Sequence, residues 1–170
     1  MNRYFLALLP DAAARAAMAA LIPAGVGRPV HPEDLHLTLA FLGDLRVRTS
    51  EVLLDTLAAV TAGRGPVEVV LDRVEIWPGP RAACAVGEAP GAAVLAAALW
   101  QCLSGCGYAA DIRPFRAHVT LARGLPRTAE AGVNRLAVPV TWTSHELALL
   151  ASAPEPGTPR YRVLGVRPFG

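Results

Sequence analysis

Two short segments of the chain carry the same residue types at the same spacing. Residues 36–40 read His-Leu-Thr-Leu-Ala and residues 118–122 read His-Val-Thr-Leu-Ala. With only four His and nine Thr in the chain, one His-x-Thr is unsurprising, but two with the same Leu-Ala tail exceed what composition supplies. On a β-strand successive side chains alternate, so His36 and Thr38 share one face while Leu37 and Leu39 share the other; His118 and Thr120 stand to Val119 and Leu121 in the same way. Each segment therefore buries an apolar face and offers an imidazole and a hydroxyl on the opposite one. Two such strands facing one cleft suit phosphoryl chemistry without a metal. Imidazole titrates near pH 6.5, so one ring can take a proton from water while another gives one to the leaving oxygen, each transfer contributing roughly 10²- to 10⁴-fold. The threonine hydroxyls can donate to the non-bridging phosphate oxygens, where charge gathers in the transition state. No cluster of Asp and Glu beside the motifs suggests a metal ion instead. The repeats are nearly symmetric, and residue types alone do not say which imidazole is acid and which is base.

These side chains need strands to carry them. Residues 35–42 and 117–122 read as the two motif strands, the first closed by Gly43-Asp44, and residues 3–9 as a buried strand. Asp11 offers the N-cap of an Ala-rich helix reaching about Leu21, and residues 23–32 form a Pro- and Gly-containing loop. Ser50 is placed to cap a second helix, with Val52, Leu53, Leu57 and Val60 at helical spacing. Residues 67–77 and 81–87 form a hairpin around Pro78-Gly79-Pro80. Residues 92–106 form an apolar helix ended by Gly105 and Gly107, and 108–114 a connector. Residues 127–135 read as one short helix, 138–150 as a long β-rich stretch, 154–159 as a turn and 161–166 as the last strand. Strands interrupted by helices around a central hairpin indicate an α+β fold with no linker between independent domains.

Composition narrows the class. Of 170 residues 53% are apolar and 18% charged, which is incompatible with a disordered chain. No uninterrupted apolar run reaches the 18 or so residues of a membrane span, and the short apolar start before Pro10-Asp11 reads as a strand rather than a signal peptide. A cytoplasmic protein with no membrane contact is expected. The net charge of +2 is too small for a protein that coats itself with nucleic acid, although all 16 basic residues are Arg, whose planar fork suits phosphate. Cys102 and Cys106 fall on one helix face, but with Cys84 the only other cysteine no tetrahedral zinc set is completed, and mostly buried, reduced thiols are expected.

In order along the chain, Arg3-Tyr-Phe-Leu-Ala-Leu-Leu-Pro10, Pro32-Glu-Asp-Leu-His-Leu-Thr-Leu-Ala-Phe-Leu-Gly43, Arg113-Pro-Phe-Arg-Ala-His-Val-Thr-Leu-Ala-Arg123 and Pro159-Arg-Tyr-Arg-Val-Leu164 resemble the two-histidine (2H) phosphoesterase superfamily. Within it the chain is most similar to the RNA 2′,3′-cyclic phosphodiesterase family, also called 2′-5′ RNA ligase. That resemblance implies a bilobal α+β fold with pseudo-two-fold symmetry, in which antiparallel sheets line a central cleft and helices lie outside. Residues 1–170 would form a single domain of two intertwined lobes. It implies hydrolysis of a terminal 2′,3′-cyclic phosphate to a 2′-phosphate, with His36 the acid that protonates the 3′ oxygen, His118 the base that activates water, and Thr38 and Thr120 holding the phosphate. It implies no cofactor and no metal, partners that are RNA ends or small nucleotides with a 2′,3′-cyclic phosphate, and 2′-5′ ligation only as a weak reverse activity. Arg123, where the family tends to have Arg, would contact phosphate or ribose, although strand parity does not require it to share the catalytic face. Arg116 precedes His118 by two and shares its face. Phe5, Phe41 and Tyr161 could stack on a base, though aromatic residues in strands also serve as core. His31 and His145 have no matching partners and read as solvent-facing or structural. Two departures bear on the substrate: Arg28-Pro29-Val30 stands where many relatives have an aromatic residue, and Ala40 where they often have a basic one. Alternatives are a phosphodiesterase of small cyclic nucleotides or 2′-5′ oligonucleotides, and a non-catalytic nucleotide-binding protein.

Overall fold

The structure is a computed structural model that describes residues 3–22, 25, 27–46, 49–110, 113–152 and 159–170. Along the chain the elements are β1 (Tyr4–Leu8), α1 (Ala12–Ala20), β2 (Arg28–Pro29), a 3₁₀ turn (Pro32–Asp34), β3 (Leu37–Gly43), α2 (Ser50–Thr56), α3 (Ala58–Thr61), β4 (Val67–Trp77), β5 (Ala82–Glu88), α4 (Pro90–Gly105), β6 (His118–Arg123), β7 (Gly132–Ser144), β8 (Glu146–Ser152) and β9 (Tyr161–Pro168).

All nine strands join one antiparallel sheet in the order β7-β4-β5-β6-β3-β1-β8-β9, with β2 added alongside β6. The order is symmetric about its middle. Each motif strand, β3 or β6, pairs on its outer side with a strand (β1 or β5) that is followed in sequence by a covering helix (α1 or α4). The α+β architecture is the one the sequence implied, with the two lobes realised as halves of a continuous sheet. The halves meet at a single rung, Leu37 opposite Val119. Both side chains are fully buried and seal the seam from behind.

One sheet face carries the main core. Leu6, Leu8, Leu37, Leu39, Val119, Leu121, Leu147 and Leu149 pack there against Met18, Leu53, Leu57, Leu95 and Leu99 from the helices. Burying each such side chain contributes about 1.5–3 kcal/mol, and this layer fixes which face of each strand points away from the helices. The opposite face has two smaller apolar patches, one per half: Phe5, Ala7, Ala148 and Leu150, and Ala82, Cys84 and Val86.

Several local expectations are corrected. Thr49, not Ser50, caps α2 by accepting from the Val52 amide, which turns Val52 outward and Leu53, Leu54 and Leu57 inward. Residues 127–135 form no helix. From Gly132 onward the chain is already β7, paired with the long strand β4 through Ile76 opposite Gly132 and Arg73 opposite Arg135, so pairing to an otherwise open edge overrides local propensity. Residues 138–150 are split at His145 into β7 and β8. Of the three free thiols only Cys84 is buried. The turn expected at 154–159 lies, but for Pro159, outside the described residues. Among the described residues no helix is long and apolar enough to cross a membrane.

Candidate active site

Both motifs show the same burial alternation, half-buried at His and Thr and buried between them. The Leu37–Val119 rung fixes how they face each other: one step to either side, His36 lies opposite Thr120 and Thr38 opposite His118. Partners directly opposite in an antiparallel pair project to the same face, so all four polar side chains stand together on the face away from the helices.

A second device follows each motif. Between Ala7–Thr38 and Leu6–Ala40 one residue of β3, Leu39, has no partner, and between Cys84–Thr120 and Ala83–Ala122 one residue of β6, Leu121, has none. These are β-bulges at equivalent positions of the repeat, so the shared Leu-Ala tail is the sequence of a bulge. Leu39 and Ala40 both stay buried, as do Leu121 and Ala122, and the strand parity is reset beyond them. Arg123 therefore returns to the face of His118 and Thr120, and Phe41 to the face of His36 and Thr38.

The imidazoles are oriented identically. His36 Nδ1 lies 2.6 Å from the Asp34 carbonyl and His118 Nδ1 lies 2.8 Å from the Arg116 carbonyl, in each case two residues back. A carbonyl only accepts, so each Nδ1 carries the hydrogen and each neutral ring keeps its lone pair on Nε2. The rings rest on different surroundings. The His36 ring centre lies 4.6 Å from that of Phe5 and, edge to face, 5.2 Å from that of Tyr161, which itself meets Phe5 at 4.9 Å. Asp34, 5% exposed, holds that corner shut: its carboxylate accepts from the backbone amides of Arg160 and Tyr161, both at 2.9 Å. His118 lies 4.8 Å from the Trp77 ring, on which the Arg116 guanidinium sits at 5.1 Å. Glu75, 7% exposed, ties this side together by accepting from Trp77 Nε1 at 2.9 Å, Arg73 Nε at 2.9 Å and Arg116 Nη2 at 2.6–2.7 Å.

Burial is the main cause of a depressed His36 pKa, about 4; the Asp34 carbonyl bond opposes it, and the Arg123 charge adds to it. His118 is lowered too, again by burial first, opposed by its bond to the Arg116 carbonyl and assisted by the charges of Arg116, Arg123 and Arg113. Burial pushes the Glu75 carboxyl up, but the bonds from Trp77 and Arg73 and the nearby guanidinium charges outweigh it and hold Glu75 ionised. Beneath Thr120, burial raises the Cys84 thiol to about 11, so it stays protonated, 4.0 Å from the Thr120 hydroxyl. At neutral pH both rings are neutral bases with Nε2 free. An anion bound between them supplies the opposite field and raises both.

A cleft of about 250 Å³ opens beside His36 and Thr120, walled by His36, Thr120, Arg123, Tyr161, Arg28, Arg160 and His31. Thr38 and His118 do not line that cavity; they share the sheet face of His36 and Thr120. Of the other residues singled out from sequence, Phe5 is 3% exposed and supports His36, leaving no open ring face for a base. Tyr161 lines the cleft, Arg116 is engaged by Glu75, and Phe41 is 54% exposed. His31 is exposed and accepts from the Glu33 amide, as a solvent-facing or structural histidine would, and it also lines the cleft; His145 is exposed at the β7–β8 junction. Sequence reasoning missed Asp34, Glu75, Trp77, Arg28 and Arg160. For Asp34 the signal was present, since it precedes His36 as Arg116 precedes His118; Glu75 and Trp77 alternate in phase on one strand, but nothing local ties them to residue 118. Among the described residues no three His, Cys, Asp or Glu side chains are grouped to hold a metal ion.

The comparisons with known proteins point the same way. A profile of the 2′-5′ RNA ligase superfamily matches residues 9–154. The RNA 2′,3′-cyclic phosphodiesterase of Geobacillus stearothermophilus is 29% identical over 154 residues, covering 82% of this chain and 47% of that protein, so the chain spans about half the length of this curated relative. Among solved structures, E. coli LigT complexed with 3′-AMP is similar at a TM-score of 0.78 and 28% identity over 99% of this chain and 98% of that one. The protein TT0787 of Thermus thermophilus is similar at a TM-score of 0.79 and 27% identity over 98% of this chain and 97% of that one.

Proposed function

Because this chain belongs to the 2′-5′ RNA ligase superfamily, we propose that it opens the 2′,3′-cyclic phosphate at an RNA end by adding water, leaving a 2′-phosphate and a free 3′-hydroxyl. Water attacks phosphorus as the bond from phosphorus to O3′ breaks. His118 Nε2 takes the proton from the attacking water, and His36 Nε2–H delivers one to O3′. Thr38 and Thr120 donate to the non-bridging oxygens, and Arg123 balances the charge that gathers there. Both proton transfers fall to imidazoles, so no metal ion takes part.

The single observation that carries this reading is the matched pair of carbonyl bonds, from His36 to Asp34 and from His118 to Arg116, which leaves two Nε2 atoms free astride one sheet rung. The depressed pKa of His36 fits the acid role, because once protonated a ring of low proton affinity is the stronger donor. The anionic substrate provides that proton's stability by binding beside it. Since the site draws on both halves of the sheet, we read residues 1–170 as one domain of two lobes. The name of the Geobacillus relative, and the 3′-AMP bound to E. coli LigT, support a nucleotide bearing a phosphate near its 2′ and 3′ oxygens as the substrate class. Closing a 2′-5′ linkage is the reverse of opening one, and we expect it only as a weak activity.

The test is incubation of the purified protein with a short RNA ending in a 2′,3′-cyclic phosphate, in the presence of a chelator, followed by identification of the product. A 2′-phosphate is expected. A 3′-phosphate, or activity that the chelator abolishes and a divalent ion restores, overturns the mechanism. Binding without turnover makes the protein a nucleotide-binding one.

A further inference from the structure

We propose that the cleft holds a second phosphate subsite, built by Arg28 and Arg160 with His31, which takes a phosphate on the 5′ oxygen of the nucleoside that carries the cyclic phosphate. The inference rests on the reading of the His36–His118 site given above and extends it to substrate length.

Some arginines of this chain are held by carboxylates and others are not. Arg15, Arg73, Arg116, Arg135 and Arg167 each meet a carboxylate. Among the described residues Arg28, Arg123 and Arg160 meet none, and all three face the same cleft. The carboxylate that lines the same cleft, Asp34, accepts from the backbone amides of Arg160 and Tyr161. The cleft wall therefore carries three guanidinium groups, none of them ion-paired among the described residues, against one carboxylate.

Backbone pairing forces two of these charges together. Strand β2 is two exposed residues long and pairs with β6, Arg28 opposite Arg123. Its approach depends on Gly27, whose φ is +67° and where a Cβ would stand 2.8 Å from the Arg123 carbonyl oxygen. Gly124 likewise leaves room for the Arg28 guanidinium, which lies 3.4 Å from where a Cβ would be. Like charges directly opposite in a sheet are destabilising, and two exposed residues offer no burial in return. An anion between them reverses the sign. His31 adds a donor: its Nδ1 accepts from the Glu33 amide at 3.2 Å, so a neutral ring carries its hydrogen on Nε2.

The chemistry identifies the anion. Planar guanidinium forks match phosphate oxygens, and Arg160 is adjacent in sequence to Tyr161, whose ring edges His36. A cavity of about 250 Å³ is small beside ordinary ligand pockets and suits a ribose and its phosphate, leaving the base outside. One sugar then joins a cyclic phosphate at His36 and Thr120 to a 5′-phosphate at Arg28 and Arg160.

The experiment compares kcat and KM for adenosine 2′,3′-cyclic phosphate, for the same nucleoside with a 5′-phosphate, and for a dinucleotide ending in the cyclic phosphate. Adding the 5′-phosphate should raise kcat/KM by roughly tenfold or more, mainly through KM, and R28Q and R160Q should each remove most of that advantage. R160Q keeps the backbone bond to Asp34, so it separates loss of charge from loss of fold, and melting curves check both variants. An equal gain for the dinucleotide identifies a strand end as the source of the phosphate; a gain for the 5′-monophosphate alone identifies a mononucleotide. No gain from either form, or a gain that survives both substitutions, overturns the subsite. Wild-type protein that turns over none of the three compounds refutes the underlying reading and this inference with it, whereas turnover without discrimination refutes this inference alone.

Discussion

In the half of the sheet made of β3, β1, β8 and β9, His36 lies on a bed of Phe5 and Tyr161, and the nearest carboxylate is consumed by backbone amides. In the half made of β6, β5, β4 and β7, His118 lies against Trp77 in a network of Arg116, Glu75 and Arg73. The strand order, the bulge after the motif and the carbonyl two residues before each ring are the same in both. Backbone repetition thus aims two imidazoles alike, and the side chains around them make their proton affinities differ. Neighbouring titratable groups driven apart in this way are what a reaction needing one acid and one base requires.

The strongest way to break the comparison is to remove one ring at a time. H36A and H118A should each lower turnover of a cyclic-phosphate-ended RNA by about 10²- to 10⁴-fold, and the double variant should lose little more, because the two act as a unit. If one substitution is silent, the halves are not partners.

The pH dependence sharpens the comparison next. The free protein needs His118 neutral and His36 protonated, and both rings titrate below their ordinary value, His36 near 4. The optimum of kcat/KM should therefore fall on the acid side of pH 6.5, and that of kcat, which reports the complex with the anionic substrate, at higher pH. Coincident optima in the two profiles would contradict the substrate-induced rise. The same shift acts on stability. A histidine whose folded pKa is lowered disfavours protonation of the folded state, so its contribution is complete above pH 6.5 and is lost progressively down to about 4. H36A should flatten that part of the melting-temperature profile.

Smaller effects come from the supports. D34N weakens two charge-assisted bonds at the start of β9 and should cost about 1.5–3 kcal/mol of stability, read from denaturant unfolding. E75Q leaves Arg116 without its carboxylate and Arg73 with Asp72 alone beside His118, and should move the limb of the rate profile that belongs to His118 to lower pH without moving the limb that belongs to His36. A uniform loss of rate with no displacement would mean that Glu75 serves the fold alone. The smallest effect is expected at Phe41, exposed on the cleft face, where F41A should change stability by less than about 0.5 kcal/mol. Any loss there should appear as a higher KM for RNA.

The repeat was legible because a strand displays His and Thr on one side whatever the rest of the chain does. Arg123 was harder to place, since period-two counting puts residues 120 and 123 on opposite faces and only the Leu121 bulge brings them together. The 127–135 segment misled for a different reason: its conformation is set by β4, about sixty residues earlier, and long-range pairing leaves no local periodicity. Glu75 and Trp77 reach His118 through the β4–β5–β6 ladder, a relation held in strand register and not in spacing along the chain.

The measurement that bears most directly on the account is imidazole nitrogen NMR of the free protein and of its complex with a nucleoside 2′-phosphate. In the free protein both His36 and His118 should be neutral at pH 7 with the hydrogen on Nδ1, and the ligand should raise both pKa values and perturb both Nε2 resonances. A ligand that shifts only one of the two rings, or a free-protein tautomer with the hydrogen on Nε2 of either, would contradict it.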